Sequence, residues 1–379
     1  MRQFPASPIT ALIDSEPEYN LGESFGPHLT VDDLLGPSGL TRLGRVSVGL
    51  GTSAGDPALR AIVAERHGIS DGQVLITAGA AAAVFLLAVL CGDGEIVIGQ
   101  PCYPPMLDAV RGIGARVTVV RSRFEDGYRL DLDDFADKLS PRTQLVMFAS
   151  PQNPSGVALT DSEIGQMLTA MSRACPEALL LIDETFREAS YGDVPPAPSF
   201  AGRSPRILTC ASLSKAYGAP GLRIGWLTIP SPRFYEQLRL AKFNSSLSCG
   251  ALDEVLATAV LSRADEILAA RGALMADARD TVERWIKAHT GRLRWLRPEA
   301  GAFCCLQLDP DTFAPEDADR FYARLARQQT LVAEGTWFGD SPLVFRLGLA
   351  YEPADKLQRG LEAISAALAR PAAMIVSIP

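Results

Sequence analysis

The sequence predicts an α/β fold: a large domain with a mainly parallel seven-stranded sheet flanked by helices, plus a smaller α+β domain. Strand-like runs alternate with helical or loop segments from about residue 73 to residue 229. Several runs, such as 178–182, are continuously apolar, which is typical of parallel strands buried on both faces. After residue 290 the pattern changes to short strands and amphipathic helices, which indicates the second domain.

Seven short apolar runs bounded by turn residues are predicted to form the large sheet. They are 73–77, 95–99, 116–121, 144–149, 178–183, 207–211 and 223–229. In such sheets ligands bind beside the carboxyl ends of the strands. Most of the polar residues discussed below directly follow these ends, so we expect one site along one edge.

The helical pattern and the domain division follow from the same periodicity. Pro57 and Gly68 are start and stop signals for a helix over 56–68. Further helices are predicted at 80–91, 253–261, 264–286, 316–328 and 354–369, with short strands at 302–307 and 343–349. Residues 1–45 are irregular and are expected to form an arm. The predicted domains are a large one at 46–280 and a small one made of 1–45 and 281–379.

Composition excludes several classes of protein. The chain has 379 residues, is 47% hydrophobic and carries a net charge of −8 without a Lys/Arg block, which argues against nucleic-acid binding. Its seven scattered cysteines and three separate histidines support neither a metal site nor a Ser-His-Asp triad. The cysteine pattern and the lack of a signal-peptide pattern predict a cytoplasmic location.

One segment, 74–91, is apolar enough to resemble a membrane span. Gly79 divides it into a strand-like part and a helix-like part. A buried strand followed by a buried helix explains the composition, so no membrane partner is expected.

Lys215 is the polar residue whose surroundings most clearly indicate a chemical role. It lies in a loop of Ser, Gly and Pro between two strand-like runs. A lysine at the edge of a core loses its proton readily, and its neutral amine can attack an aldehyde. Arg223 could bind a phosphate, and Ser212 and Ser214 add hydroxyl groups. An aldehyde ligand that carries a phosphate would suit this set.

Two further groups follow the first strands of the sheet. Gly79, Ala80 and Ala81 open a helix, whose free N–H groups could bind phosphate or could simply form a tight turn in a packed core. Tyr103 follows the next strand. Its ring could lie against a flat heteroaromatic ligand or pack on its neighbours.

Three more polar residues occupy positions where a partner is needed. Asn153 begins Asn-Pro-Ser-Gly, a common turn composition, directly after a strand. Asp183 ends an apolar strand, where it could pair with a cationic ring nitrogen or cap a following helix. Arg346 lies inside an apolar strand and needs an anion, either a substrate carboxylate or a structural acid.

Taken in order, these segments resemble the motifs of class I/II aminotransferases, the fold-type I enzymes that use pyridoxal 5'-phosphate. The resemblance covers roughly residues 45–350 and is most specific at Asn-Pro-Ser-Gly and at the Ser212, Lys215 and Arg223 set. It implies an enzyme that moves the α-amino group of an L-amino acid to a 2-oxo acid. It also implies a homodimer with the site at the subunit interface.

The resemblance implies a role for each residue. Lys215 would form the Schiff base and move the proton, Asp183 would hold the pyridinium and Tyr103 would lie on the ring face. Asn153 would donate to the phenolic oxygen, and the phosphate would sit on the amides of Ala80 and Ala81, on Ser212 and on Arg223. The implied catalytic residues are Lys215, Asp183 and Tyr103; the cofactor-binding residues are Gly79, Ala80, Ala81, Tyr103, Asn153, Asp183, Phe186, Ser212, Ser214, Lys215 and Arg223. The implied substrate-binding residues are Gly22, Asn153 and Arg346, of which Arg346 would grip the α-carboxylate.

Two positions depart from the family pattern. Phe186 stands where Asp-x-x-Tyr usually supplies a phenol to the cofactor oxygen, so the pKa of the lysine–cofactor link should change. Leu50 stands where Tyr-x-x-x-x-Gly often begins, with Gly55 at its end. A similar phenylalanine occurs in relatives that cyclise or oxidise arginine, which leaves an amino-acid oxidase, cyclase or lyase as an alternative.

A different class of function, a non-enzymatic sensor like the aminotransferase-like half of some transcription regulators, is disfavoured. Those proteins carry a DNA-binding domain, and the sequence has no basic helix-turn-helix. The substrate is not named by the sequence. Glu23 or Glu184 could meet a cationic side chain, although each could equally be an ordinary surface acid.

Overall fold

The structure, a computed structural model, describes residues 3–369. Its N-terminal arm holds helices α1 (Ala11–Asp14) and α2 (Val31–Leu43) and the short strand β1 (Tyr19–Asn20). The prediction that residues 1–45 are irregular is therefore wrong for Val31–Leu43, which form α2. A capping box marks the start of this helix, since Thr30 Oγ1 accepts from the Asp33 N–H at 3.1 Å. Gly36, at φ 59°, kinks the helix and masks its periodicity.

The large sheet is confirmed, and its seven strands lie close to the predicted positions. They are β2 (Val74–Thr77), β3 (Glu95–Gln100), β4 (Arg116–Arg121), β5 (Thr143–Ala149), β6 (Leu179–Asp183), β7 (Ile207–Ser212) and β8 (Gly225–Thr228). Their spatial order is β2-β8-β7-β6-β5-β3-β4.

Because β8 runs opposite to its two neighbours, the segment that precedes it lies at the edge where the parallel strands end. β8 pairs antiparallel with both β2 and β7, while β3 to β7 pair in parallel with one another. The carboxyl ends of β2, β3, β5, β6 and β7 therefore lie at the same edge as the amino end of β8. Gly225 at that end is the register partner of both Thr77 and Ser212. Arg223, two residues earlier, returns to the edge where those strands finish.

Helices cover both faces of this sheet, as the continuous apolar strands predict. Along β5, Leu145 and Met147 join one buried cluster, whereas Val146 and Phe148 join another on the opposite face. The helices are α3 (Pro57–His67), α4 (Gly79–Cys91), α5 (Pro104–Gly112), α6 (Leu132–Asp137), α7 (Asp161–Ala174), α8 (Pro232–Ser246), α9 (Ala251–Ser262) and α10 (Ala264–Lys287). The apolar segment 74–91 is thus a strand and a helix. No helix within residues 3–369 is long and apolar enough to cross a membrane.

The remaining elements form a smaller region with a four-stranded sheet, one short strand that pairs with the arm, and two helices. They are β9 (Leu293–Leu296), β10 (Phe303–Leu308), α11 (Asp317–Arg327), β11 (Thr330–Leu331), β12 (Ala333–Glu334), β13 (Val344–Gly348) and α12 (Ala354–Leu368). Four strands pair antiparallel in the order β12-β13-β10-β9. β1 of the arm pairs with β11, which attaches the arm to this region. The domain boundary at residue 280 stays a prediction.

Candidate active site

The residues selected from the sequence meet along the edge where the parallel strands end. Asp183 is the last residue of β6, and its register partners are Ala149 in β5 and Cys210 in β7. Asn153 follows β5 by four residues, and Lys215 follows β7 by three. The sheet therefore gathers segments that are far apart in sequence into one cleft.

Lys215 has the environment of a nucleophilic amine. Its Nζ lies 4.6 Å from the centroid of the Phe25 ring. Burial lowers the pKa of Lys215 to about 8; the negative charge of Glu23 opposes that shift, while Arg346 and Arg223 reinforce it. A lysine with an ordinary pKa of about 10.4 is almost fully protonated at neutral pH. Lys215 therefore offers far more neutral amine for attack on a carbonyl.

The start of α4 forms one end of the cleft. Gly79 has a φ of 79°, and a Cβ there would lie 2.6 Å from Arg223 Nη2, so only glycine fits. A Cβ at Gly225 would lie 2.7 Å from the backbone nitrogen of Ala80. These close approaches leave the amides of Ala80 and Ala81 at the start of the helix next to a guanidinium group.

Arg223 and two serines complete this end. The Arg223 side chain is exposed and donates to Pro220 O at 3.0 Å and more weakly to Ser214 Oγ at 3.5 Å. Ser212 Oγ accepts from the Ser214 N–H at 3.4 Å. Helix amides, a guanidinium and hydroxyls are the donors that hold a phosphate dianion. This end of the cleft therefore fits the phosphate that the sequence resemblance implies.

Asp183 presents a carboxylate that lacks a cation. It accepts from the Thr185 N–H at 2.9 Å, and within residues 3–369 it forms no ion pair. Burial raises the pKa of its carboxyl. A turn, not a helix, follows β6, so the helix-capping alternative is wrong. A protonated ring nitrogen would supply the missing charge, which is the fit that pyridoxal phosphate requires here.

Arg346 contacts the two other residues predicted to bind the substrate, Asn153 and Gly22. It is only 1% exposed, and it donates from Nη1 to Asn153 Oδ1 at 2.7 Å and from Nη2 to Gly22 O at 2.6 Å. Its Nε has no hydrogen-bond partner among the described residues, and no acid there pairs with it, which argues against the structural salt bridge. Because Asn153 Oδ1 accepts from the arginine, the amide Nδ2 is left free to donate.

Tyr103 lies at the start of α5 and is half-buried. It packs against a cluster that includes Ile9, Leu12 and Phe338. Burial raises the pKa of its phenol, so the hydroxyl stays protonated. The structure thus shows Tyr103 packing on its neighbours. Stacking of its ring on a ligand stays a prediction.

The two departures from the family pattern have different surroundings. Phe186 is buried, and its ring meets the Phe303 ring edge-on at 4.7 Å between centroids. It brings no hydroxyl to the cleft. Leu50 is 85% exposed, and Gly55, at φ 103°, approaches Ile76 so closely that a Cβ would lie 2.3 Å from Ile76 Cγ1.

Glu184, one of the two acids considered for a cationic side chain, belongs to a closed network instead. It accepts from Ser199 Oγ at 2.7 Å and from the Phe200 N–H at 2.6 Å.

The neighbouring His67 does not activate Ser199. Trp226 Nε1 donates to His67 Nε2 at 3.0 Å, and burial lowers the pKa of His67 to about 4, so the imidazole is neutral. Its proton therefore lies on Nδ1 and is donated to Ser199 Oγ, 2.9 Å away. The serine is thus not activated, and this set is not a catalytic triad.

Two aromatic residues near Lys215 were missed by sequence reasoning. Phe25 faces the Lys215 amine, and the Tyr351 ring meets the Phe25 ring edge-on at 5.3 Å. One lies in the arm and the other follows β13. No sequence pattern links two loops that are more than three hundred residues apart.

Comparisons with known proteins show the family to which this chain is similar. The model of the family described as aminotransferase class I and II matches residues 42–364. Capreomycidine synthase of Streptomyces vinaceus is 32% identical over 318 residues, which cover 83% of this chain and 79% of the synthase. Arginine–pyruvate transaminase AruH of Pseudomonas aeruginosa is 30% identical over 308 residues, with 78% and 76% covered. A crystal structure of the PLP-dependent cyclase OrfR superposes with a TM-score of 0.82 at 25% identity, over 97% of this chain and 98% of the cyclase.

Proposed function

Because this chain belongs to the family of class I and II aminotransferases, whose cofactor is pyridoxal 5'-phosphate, we propose that it transfers the α-amino group of an L-amino acid to a 2-oxo acid. The observation that carries the proposal is the meeting of two groups in one cleft. Lys215 supplies an amine whose pKa is lowered to about 8, and Arg346 supplies a buried guanidinium without an acidic partner. One suits the amino group of the substrate and the other suits its carboxylate.

The phosphate end of the cofactor would be held where β2 and β7 end and β8 begins. Its phosphate would accept from the amides of Ala80 and Ala81, from the hydroxyls of Ser212 and Ser214, and from Arg223. Gly79 permits this approach because it leaves room for the guanidinium of Arg223. When bound, pyridoxal phosphate supplies an aldehyde that links to amines and a ring that withdraws electrons from the substrate Cα.

The remaining residues orient the reactants and move the proton. Asp183 would keep the ring nitrogen protonated, because its buried carboxylate forms no ion pair within residues 3–369. Asn153 Nδ2 is free to donate to a ligand oxygen, and Tyr103 and Phe186 would limit the space around the ring. Arg346, held by Asn153 and Gly22, would fix the α-carboxylate. Lys215 Nζ would then take the proton from Cα of the substrate and deliver it to the aldehyde carbon of the cofactor.

The proposed reaction is tested by withholding the acceptor. We expect the cofactor-loaded enzyme mixed with its amino-acid substrate to complete one half-reaction and stop, with a single change in cofactor absorbance. Adding a 2-oxo acid should restore continuous turnover. Sustained product formation without any 2-oxo acid would contradict transamination.

A second candidate, cyclisation of an amino acid, is favoured by two observations. Phe186 makes an aromatic edge contact with Phe303 where the family pattern has a phenol, and one of the structures that this chain resembles is the PLP-dependent cyclase OrfR. Such a reaction needs no amino acceptor. The same experiment therefore separates the candidates, since a cyclase keeps turning over when the 2-oxo acid is withheld.

A homodimer is also proposed, and an exposed apolar cluster supports it. Val48 and Leu50 are 81% and 85% exposed, and Phe243 and Leu247 at the end of α8 are each 47% exposed. The loop that carries the first pair is fixed beside α8, because Arg239 and Lys242 of that helix donate to Ser53 at 2.6 and 2.9 Å. Side chains of this kind are normally covered by a partner.

Light scattering after size exclusion tests the dimer. We expect twice the chain mass of 40.6 kDa for the wild type and a shift towards one chain for the double variant Val48→Asp, Leu50→Asp, because two buried charges oppose association. Val194→Asp, at a 60% exposed residue outside the cluster, is the control. A wild-type mass of one chain at micromolar concentration would contradict the dimer.

A further inference from the structure

We propose that Glu23 is the group that selects the substrate, by pairing with a positively charged side chain, guanidinium or ammonium, on the L-amino acid. The inference rests on the proposed function, since it concerns the side-chain end of the same cleft. It extends that function by naming the chemical class of the amino donor and the residue that recognises it.

Glu23 is a buried acid whose carboxylate forms no ion pair within residues 3–369. It is 6% exposed, and the one hydrogen bond its carboxylate accepts within residues 3–369 is a long one, from the N–H of the next residue, Ser24, to Oε2 at 3.3 Å. No arginine, lysine or histidine of the described chain forms an ion pair with it. Buried carboxylates are costly unless paired, so this one has room for a cationic ligand. Glu184, the other buried acid considered, is already satisfied.

The segment around Glu23 is fixed on the strand that carries Arg346. Arg346 Nη2 donates to the carbonyl of Gly22 at 2.6 Å, and the Gly348 N–H donates to Leu21 O at 2.7 Å. A Cβ at Gly348 would lie 2.0 Å from the Glu23 carbonyl oxygen, so only glycine allows this approach. The chain then passes from the residue that contacts Arg346 to Phe25, which contacts Lys215. Glu23 lies between the two.

The effect of Glu23 on the pKa values of Lys215 and Arg346 supports its place between them. Burial lowers the pKa of both Lys215 and Arg346, and for each the charge that opposes the shift most is that of Glu23. An amino acid held by its carboxylate at Arg346 and by its amine near Lys215 would therefore lie within range of the Glu23 charge. A neutral side chain there would leave the carboxylate buried and unpaired, which disfavours it.

Aromatic residues lie near Glu23: Phe25 is two residues further along the chain, and burial together with the charge of Glu23 raises the pKa of the Tyr351 phenol. Phe25 stacks on His28 at 5.1 Å between centroids, and Tyr351 meets both rings edge-on. Aromatic faces attract guanidinium and ammonium groups, and a carboxylate can accept two parallel hydrogen bonds from a guanidinium. Aromatic walls and one acid together form a recognisable site for a cationic side chain.

Pairs of amino acids that differ in charge but little in shape test the proposal. The cofactor-loaded enzyme is mixed with arginine or citrulline, and with lysine or norleucine, and the rate of the absorbance change is measured. In parallel, the enzyme is reduced with borohydride so that no amino acid can react, and calorimetry gives each dissociation constant. We expect the wild type to favour arginine, lysine or both over the neutral partner by about 10- to 100-fold in each measurement.

Variants assign the preference to one carboxylate. Glu23→Gln, which keeps the shape, should remove most of the preference, and Glu23→Asp should retain part of it. Glu16→Gln, at an exposed acid of the same arm, should leave it unchanged. Equal affinity for charged and neutral partners in the wild type, or a preference that survives Glu23→Gln, overturns the proposal. If no amino acid changes the absorbance, the proposed function fails, while the dissociation constants still decide whether Glu23 selects charge.

Discussion

Replacing Lys215 by alanine is expected to lower turnover by about two to four orders of magnitude, the size of effect that general acid–base catalysis supplies. Lys242 of α8 is also buried, with a pKa that burial lowers, but its Nζ already donates to Ser53 O at 2.9 Å. The pKa of Lys215 is lowered to about 8 because the residue is surrounded by protein and by Arg346 and Arg223. Loss of the amine removes both the covalent attachment of the cofactor and the group that moves the proton.

The control for this variant is Lys287→Ala. The Lys287 side chain is 72% exposed and pairs with Glu283 on the outside of α10, so its loss should leave turnover unchanged. Melting temperatures of both variants should stay close to that of the wild type, since neither side chain fills the core. A Lys215→Ala enzyme that retains a tenth or more of wild-type turnover would contradict the assignment.

The second large effect is expected for Asp183→Asn, which removes the charge and keeps the shape. Breaking a buried charge pair from one side costs about 3–5 kcal/mol, which corresponds to a loss of turnover of roughly two to three and a half orders of magnitude. The amide cannot keep the ring nitrogen of the cofactor protonated. Asp309→Asn is the matched control, since Asp309 is also buried but pairs with Arg294 at 2.8 Å outside the cleft.

The stability of the Asp183→Asn variant distinguishes a functional carboxylate from a structural one. Burial raises the pKa of Asp183 in the folded protein above the unfolded value of about 3.9. The folded state therefore binds this proton more tightly, and the charged form costs folding free energy above that pKa. Without cofactor at pH 7, Asp183→Asn should melt at or above the wild-type temperature, and with cofactor it should melt below it. A lower melting temperature in both states would indicate a structural role.

Much of the fold was predictable because its strands are locally unambiguous. Runs such as β5 and β6 are short, apolar and bounded by turns, so both their position and their burial on two faces follow from sequence. α2 was not predicted, because Gly36 and Pro37 break its periodicity although Thr30 and Asp33 cap its start. The capping pair was the available indication.

The site was predictable where it follows strand ends and not where it depends on the arm. Topology explains the first part, because parallel strands bring their following residues together. Sequence alone could not choose between Glu23 and Glu184, since both are acids in unremarkable surroundings along the chain. The structure separates them by their partners. Glu184 pairs with Arg187 and accepts from Ser199, whereas Glu23 forms no ion pair within the described residues.

The central claim is that the amine of Lys215 holds the cofactor, and reduction with borohydride tests it most directly. The enzyme is saturated with pyridoxal phosphate, reduced, digested and analysed by mass spectrometry. The account predicts one added pyridoxyl phosphate group per chain, located on the peptide that contains Lys215. A colourless protein without the modification, or a modification on a different lysine, would contradict it.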